Sequence, residues 1–224
     1  DGGDVTRETR KASGASLAMP HGMSYIFEVH NRGKKSIAVD LSKQEGREIV
    51  YRLVGCSDVF VHNFREGSTG KLGIDYEALR RHNPGLVYCN CSGFGPKGPE
   101  ARYPVLDIVA QARTGLMLAG GEADMPPSVI TGAILDMATG MTMAFAVLAA
   151  LHGRERTGRG QEIHSSLLAT GIWLQTSLML GVLASGQPFA RPSRARVPNP
   201  LVNYYRCQDG KWLALAHYQP DRYW

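Results

Sequence analysis

One carboxylate, Asp136, stands at the start of a long apolar stretch of the sequence. The apolar residues that follow recur at helical spacing, which predicts a helix from about residue 137 to residue 151. A helix N-terminus offers free backbone N–H groups and the positive end of the helix dipole, and both favour an ionised carboxylate. A partly buried, ionised carboxylate is a potential nucleophile. The alternative interpretation is structural, with Asp136 as the N-cap of that helix.

A second group of candidate residues follows an apolar run at residues 59–61, which we interpret as a strand. Asn63, Phe64 and Arg65 come directly after this run, and Lys71 lies a few residues further on. In an open α/β sheet, ligands bind beyond the carboxyl ends of the strands. An aromatic ring and two cations in that position could hold an adenine ring and its phosphates. The alternative interpretation is a solvated loop.

Several familiar signatures are missing from the sequence. It contains no phosphate-binding GxxxxGK[ST], no GxGxxG after a strand, no HExxH and no GxSxG. The histidines are isolated, and the four cysteines, Cys56, Cys89, Cys91 and Cys207, include no CxxC pair. We therefore expect no metal site and no disulfide scaffold. Unpaired cysteines favour a reducing compartment, so we expect a cytoplasmic protein.

The composition is typical of an ordinary globular protein, because 43% of the 224 residues are hydrophobic and 20% are charged. This length allows one large domain, or one domain and part of a second. The formal net charge of +5 suggests an anionic ligand, but the basic residues form no block, so no nucleic acid partner is expected. Residues 129–151 and 167–184 approach the length of membrane spans. Polar residues within both stretches favour buried core helices, and no membrane partner is expected.

The order of the predicted elements indicates an α/β fold. Residues 36–41, 59–61 and 86–91 have the patterns of strands, and helical patterns at residues 42–55 and 75–81 separate them. Strands and helices that alternate at this spacing predict crossover connections and a parallel sheet. The second half is predicted to contain three helices, at residues 108–118, 137–151 and 167–183. A linker rich in Pro and Arg follows at residues 188–200, and then two strands joined by a turn, at residues 201–205 and 211–216.

Seven segments of the sequence, taken in order, resemble one protein family. They are GGDVTR at residues 2–7; NRGKKSI at 31–37; DVFVHNFR at 58–65 with Gly73 and YEAL at 76–79; NP at 83–84; SGFG at 92–95 with GP at 98–99; Asp107 with QA at 111–112; and RTGRGQ at 156–161. The family is that of the class III CoA-transferases (CaiB/BaiF), which includes formyl-CoA and carnitine CoA-transferases. The resemblance covers nearly the whole chain.

The resemblance implies a Rossmann-like large domain with a parallel sheet and helices, and a CoA-transferase activity. Asp136 aligns with the catalytic aspartate of the family, which makes it the expected nucleophile. It would form a mixed anhydride and then an aspartyl-CoA thioester, with backbone amides near the helix start stabilising the oxyanions. The residues expected to contact CoA or line the site are Val39, Asp40, Leu41, Asn63, Phe64, Arg65, Lys71 and Asp107. The expected substrates are an acyl-CoA and a carboxylic acid, with no tightly bound cofactor and no metal.

Two alternatives stay open beside CoA transfer: an acyl-CoA racemase of the same fold, and a nucleotide-binding module without catalysis. Racemases of the family carry a His immediately before the aspartate that aligns with Asp107, whereas this sequence has Leu106. Leu cannot exchange a proton, so transfer is favoured over racemisation. Two further positions depart from the family: Ser42 stands where relatives often carry Lys, which weakens one expected CoA contact, and His164 stands where many carry Asp.

The resemblance also implies a domain organisation. Residues 1–186 would form the large CoA-binding domain, residues 187–200 the linker and residues 201–224 the beginning of a small domain. Family members have strands before the GGD segment and continue beyond the position of Trp224, so we expect this sequence to be an internal portion of a longer protein. Members of the family form interlaced homodimers, and we expect the same here.

Overall fold

The computed structural model describes residues 3–12, 15–191 and 193–223, which fall into two units, Asp1–Leu53 and Val54–Trp224. Gly2 of the first family segment, Pro192 of the predicted linker and Trp224 of the predicted small domain lie outside the described residues. Each unit is described by itself.

The first unit contains a short antiparallel pair of strands, β1 (Lys11–Ala12) and β2 (Ala15–Ser16), the helix α1 (Tyr25–Asn31) and all but the last two residues of the helix α2 (Gln44–Gly55). The prediction of a strand at residues 36–41 is wrong, because this segment has no ladder hydrogen bonds to a described strand, and Ile37 is 63% exposed. An alternating pattern forms a strand only where a second backbone lies beside it.

Helix α2 confirms the predicted helix and fits closely against the segment before it. A Cβ atom added to Gly46 would lie 2.0 Å from the carbonyl oxygen of Asp40, so this contact requires glycine. The turn that leads into the helix is built on Asp40, whose Oδ1 accepts hydrogen bonds from the backbone N–H of Ser42 at 3.0 Å and from its hydroxyl at 2.6 Å.

A three-stranded parallel sheet in the order β3 (Val59–His62), β4 (Val87–Ser92), β5 (Glu162–Ser166) organises the second unit. Strands β3 and β4 confirm the predicted strands and the parallel sheet. Strand β5 was not predicted, because its sequence, EIHSS, has a single large apolar residue, Ile163. Two short helices, α3 (Ser68–Leu72) and α4 (Tyr76–Leu79), connect β3 to β4, and Asp75 caps α4 by accepting the Ala78 N–H at 2.8 Å.

The predicted helix at residues 108–118 forms as two helices, α5 (Asp107–Arg113) and α6 (Leu116–Ala119). Thr114 ends the first helix by donating its hydroxyl hydrogen to the Ala110 carbonyl, and Gly115 then adopts the left-handed conformation with φ 76°. The break is therefore local, and the pair Thr114-Gly115 is its cause.

The longest helix, α7 (Ile134–Thr157), packs on the sheet, with Ala150 in a cluster that includes Val87 and Cys89. The prediction of a fully buried helix is wrong within this chain, because the other side of α7 is uncovered and Phe145 is 74% exposed. By length and composition alone, α7 could cross a membrane.

The predicted helix at residues 167–183 is also broken. Helices α8 (Leu167–Leu174) and α9 (Thr176–Ser185) meet at an angle of 75°, and as a single bent segment they too would be long and apolar enough for a membrane span. Gln175 stands at the bend, where its side-chain amide donates to the carbonyls of Thr114 at 3.0 Å and Gly171 at 2.9 Å. A hydrogen bond to a residue 61 positions away is not visible in a local pattern.

Hydrogen bonds and an ion pair hold the segment after α9 against the loop around residue 122. The Arg191 guanidinium donates to the carbonyls of Met117 and Leu118, and Arg194 pairs with Glu122 at 3.1 Å. An antiparallel hairpin, β6 (Val202–Arg206) and β7 (Trp212–Ala216), and a short helix, α10 (Pro220–Tyr223), complete the unit. The hairpin confirms the two predicted strands, whereas its membership in a separate small domain stays a prediction.

Candidate active site

A pocket of about 590 Å³ opens at the carboxyl ends of β3 and β4. This is the position where parallel α/β sheets bind ligands. The residues that line it are Asn63, Phe64, Arg65, Glu66, Cys91, Ser92, Gly93, Ala101, Tyr103, Pro104, Val105, Leu106, Val109, Asp136 and Leu167. The structure thus brings together two candidate groups that are far apart in the sequence, namely Asp136 and residues 63–65.

Asp136 is the third residue of α7, and the N-cap position is held by Ala133 in a left-handed conformation with φ 51°. The alternative in which Asp136 itself is the N-cap is therefore wrong. Among the described residues its carboxylate receives no hydrogen bond, so both oxygens are available to a ligand.

The first turn of α7 is capped instead by Asp107, the first residue of α5. Its Oδ2 atom accepts the backbone N–H of Leu135 at 2.7 Å and that of Asp136 at 3.0 Å. Asp107 is absent from the pocket lining, so its expected place in the site stays a prediction.

The same hydrogen bonds revise the expected oxyanion site. The N–H groups of Leu135 and Asp136 are used by Asp107, and that of Met137 donates to the Ala133 carbonyl at 2.9 Å. These three amides of the helix start therefore cannot serve a reacting carbonyl without losing a partner. Other polar groups on the pocket wall include the side chains of Asn63 and Ser92.

Gln111 holds Asp107 in place. Its Nε2 atom donates to Asp107 Oδ1 at 2.5 Å and to the Ile130 carbonyl at 2.9 Å, while its Oε1 atom accepts the Ile130 N–H at 2.9 Å. The side chain is fully buried, with 0% exposure. Gln111 was named from the sequence only as part of a family segment, because Ile130, which pairs with both ends of its amide, lies 19 residues away in the chain.

Burial raises the pKa of Asp136, and the nearby Asp107 carboxylate acts in the same direction. Burial likewise raises the pKa of Cys91, with Asp136 adding to the effect. A carboxylate with a raised pKa is a better nucleophile than an ordinary one while it remains ionised. The helix N–H groups that were expected to favour the ionised form of Asp136 hold Asp107 instead.

His62, for which the sequence indicates no role of its own, supports the loop that carries Phe64 and Arg65. The His62 Nδ1 atom accepts the Phe64 N–H at 3.2 Å, and the two rings stack with centroids 5.7 Å apart. Burial lowers the pKa of His62, and the charge of His164 acts in the same direction. This favours the neutral ring, which alone can accept at Nδ1.

The remaining predicted contacts lie elsewhere. Lys71 belongs to α3 and is absent from the pocket lining. In the first unit, Val39 and Asp40 line a cleft of about 1380 Å³ that also contains the cations of Arg7, Lys34 and Lys35, whereas Leu41 is absent from this lining. Hydrogen bonds from Ser42 lower the pKa of Asp40.

The two positions that depart from the family have partners close by in the chain. The hydroxyl of Ser42 donates to Asp40 in the turn before α2. His164, on β5, lies 3.5 Å from Glu162, measured from Nε2 to Oε1.

Comparisons with known proteins agree with this architecture. The chain is 37% identical over 210 residues to a succinate–glutarate CoA-transferase of Agrobacterium fabrum, which covers 92% of this chain and 50% of that protein. It is 42% identical over 158 residues to an acetyl-CoA:oxalate CoA-transferase of Acetobacter aceti, covering 70% of this chain and 41% of that protein. The chain thus spans about half the length of the curated relatives it matches.

The crystal structure of a CaiB/BaiF family protein from Brucella suis superposes with a TM-score of 0.78 at 35% identity, covering 90% of this chain and 52% of that one. The model of CoA-transferase family III matches residues 1–224. Sequence and fold therefore lead to one assignment: this chain belongs to CoA-transferase family III.

Proposed function

We propose that the full-length protein transfers CoA from an acyl-CoA thioester to an acceptor carboxylic acid, with Asp136 as the nucleophile. The observation that carries this proposal is the free carboxylate of Asp136 in one pocket with Asn63, Phe64 and Arg65. The CoA-transferase names of the relatives support it.

The first half of the proposed reaction releases the donor acid. A carboxylate oxygen of Asp136 attacks the thioester carbonyl carbon, the C–S bond breaks, and CoA leaves as a thiolate. The product is a mixed anhydride between Asp136 and the donor acyl group. The thiolate then attacks the side-chain carbonyl of Asp136, which gives an aspartyl-CoA thioester and the free donor carboxylate.

The second half repeats these steps in reverse order with the acceptor. The acceptor carboxylate attacks the aspartyl thioester, CoA leaves again, and the thiolate attacks the acceptor carbonyl. This produces the new acyl-CoA and restores the Asp136 carboxylate, so no proton is gained or lost overall. The side-chain amide of Asn63 and the hydroxyl of Ser92 line the pocket and are the proposed donors to the oxyanions.

The proposed CoA contacts begin with residues 63–65, since an aromatic ring and a guanidinium suit a nucleotide and its phosphates. Lys71 and, in the first unit, Val39, Asp40 and Leu41 are retained as proposed contacts on the family resemblance alone. CoA enters this scheme as a substrate, and no tightly bound cofactor is proposed.

A homodimer is proposed for the full-length protein. A groove of about 740 Å³, lined by residues that include Met141, Phe145 and Trp173, supports it, because these large apolar side chains are exposed on α7 and α8. Sedimentation of the full-length protein tests the dimer directly, and a monomer at micromolar concentration would contradict it.

Incubating the full-length enzyme with a matrix of acyl-CoA donors and carboxylic acids, followed by mass spectrometry of the CoA products, tests the activity. The dicarboxylates succinate, glutarate and oxalate belong in the matrix because the names of relatives contain them. We expect a new acyl-CoA with at least one pair, and none with the Asp136→Ala variant. CoA binding without any new thioester would instead support a module without catalysis.

A further inference from the structure

The hydrogen bonds behind the pocket determine which way the Gln111 amide points. Its Oε1 accepts the Ile130 N–H, and its Nε2 donates to the Ile130 carbonyl. Rotating the amide by half a turn would lose both bonds and leave buried groups unpaired. The Nε2 atom is therefore the one that faces Asp107.

Asp107 is thus surrounded by donors. Its Oδ1 accepts from Gln111 Nε2, and its Oδ2 accepts from the backbone N–H groups of Leu135 and Asp136. Three donors converge on two oxygens, and only a group that accepts at both oxygens satisfies them all. One of these donors is the backbone N–H of the proposed nucleophile itself.

We propose that Asp107, oriented by Gln111, is a positioning residue that fixes the backbone at Asp136 and keeps the Asp136 carboxylate directed into the pocket. The proposal rests on the proposed function, since it assigns Asp107 a role in the reaction of Asp136. It adds a pair of residues that do not touch the substrate and act through the start of α7.

An ordinary helix cap would also explain hydrogen bonds at the start of α7, so the charge of Asp107 is the distinguishing feature. Burial raises the pKa of Asp136, and the negative charge of Asp107 raises it further. The other ionisable groups at the pocket are Cys91 on β4, Arg65 and Glu66 after β3, and Tyr103. Substitution of Asp107 leaves these four in place, so a change in the pH profile reports on Asp107.

The test is the Asp107→Asn variant of the full-length enzyme. The Asn side chain has one acceptor oxygen and one donor NH2 group. In one orientation the NH2 group faces the donor of Gln111, and in the other it faces the N–H groups at the start of α7, so two donors face each other in either case. We expect kcat to fall by about tenfold or more, while KM for the acyl-CoA changes by less than about threefold. We also expect the acid limb of the kcat profile to move to lower pH, because removal of the negative charge lowers the pKa of Asp136.

Asp75→Asn is the matched control, because Asp75 caps α4 through a single hydrogen bond to the Ala78 N–H and is absent from the pocket lining. It should change the melting temperature without changing kcat or the pH profile. If Asp107→Asn folds and its kcat and pH profile equal those of the parent, the proposal is overturned.

If Asp107→Asn does not fold, Gln111→Met provides the second test, because it leaves Asp107 in place and removes the donor that orients it, together with the two hydrogen bonds to Ile130. A drop in kcat at constant KM supports the proposal, and unchanged values of both overturn it. Failure of the proposed function has a different signature. Asp136→Ala would then retain the parental rate, whatever the effect of substituting Asp107.

Discussion

At the scale of single residues, Asp136 combines two properties. Within the described residues its carboxylate receives no hydrogen bond, whereas its backbone is held by Asp107 and by the first turn of α7. An ordered backbone and a carboxylate that is open to a ligand are what covalent catalysis by a carboxylate needs.

If Asp136 is acylated during turnover, hydroxylamine should trap it. Incubation of the full-length enzyme with a donor acyl-CoA and hydroxylamine should convert Asp136 to a hydroxamate that peptide mass mapping detects. Asp136→Asn keeps the shape without the charge and should reduce kcat by several orders of magnitude. An unmodified Asp136 peptide in an enzyme that is turning over would contradict the mechanism.

The raised pKa of Asp136 has a consequence for the pH dependence. The reactive form is the carboxylate, so kcat/KM should fall as pH decreases through the pKa of Asp136. Because burial and Asp107 both raise that pKa, the fall should begin at a higher pH than for an ordinary aspartate. A profile that stays flat down to the ordinary range would argue against Asp136 as the group that titrates.

Arg65 and Lys71 provide a matched pair of cations for CoA binding. Arg65 lines the pocket and Lys71 does not, so Arg65→Ala should weaken CoA binding more than Lys71→Ala. A charge-assisted hydrogen bond contributes roughly 1.5–3 kcal/mol, which corresponds to a loss of about 10- to 150-fold for Arg65→Ala. Calorimetry at low and high salt measures the effect, which should be larger at low salt. Equal affinity of both variants and the parent would refute this binding site.

Leu106 separates transfer from racemisation. It lines the pocket and is 74% exposed, but its side chain has no proton to exchange. Incubating the full-length enzyme with a chiral 2-methylacyl-CoA in deuterium oxide should therefore give no rapid incorporation of deuterium at the α-carbon. Rapid incorporation would assign the protein to the racemases.

At the scale of elements, the sequence predicts those whose cause is local. Strands β3 and β4 were predicted from their apolar runs, and the carboxyl end of β3 led to residues 63–65 as candidates, which line the pocket. Strand β5 was missed because Glu162, His164 and two serines conceal its alternation. Residues 36–41 have the alternating pattern of a strand, but no described strand pairs with them.

The rest could not be predicted because its causes are distant in the chain. The bend at Gln175 depends on the Thr114 carbonyl, and the cap of α7 comes from Asp107, 28 and 29 residues before the amides it binds. Such contacts arise only when the elements pack together. In the candidate site, the sequence indicated Asp136 and residues 63–65, and the family resemblance indicated Asp107, but neither showed that Asp107 caps α7 or that Gln111 orients it.

Two glycines, Gly160 and Gly153, provide a test of how closely the backbone segments pack. A Cβ at Gly160 would lie 1.9 Å from the Leu86 carbonyl oxygen, whereas a Cβ at Gly153, within α7, meets nothing within 4 Å. Gly160→Ala should destabilise the protein by several kcal/mol because the backbone must move. Gly153→Ala should be neutral or stabilise it by up to about 1 kcal/mol, because alanine favours a helix. Thermal unfolding of both variants measures the difference, and equal melting temperatures would contradict the close contact at Gly160.

At the scale of the whole molecule, a large apolar surface stays uncovered within the described part of the chain. Met141, Phe145 and Leu148 on α7 and Trp173 on α8 are all more than half exposed. Patches of this kind usually mark surfaces that other protein segments cover. The groove on these helices is therefore where the proposed second subunit would contribute most to stability.

The contacts that hold the segment after α9 have a consequence for proteolysis. Trypsin cleaves after Arg, and this segment presents Arg194, but the guanidinium of Arg194 is held by Glu122 and lies over the Trp212 ring, 5.0 Å from its centroid. A protease must pull such a side chain free before the bond can enter its cleft. The bond after Arg194 should therefore resist brief trypsin treatment. Glu122→Ala should speed cleavage at Arg194 several-fold on a gel, and Asp124→Ala, in the same loop, should not.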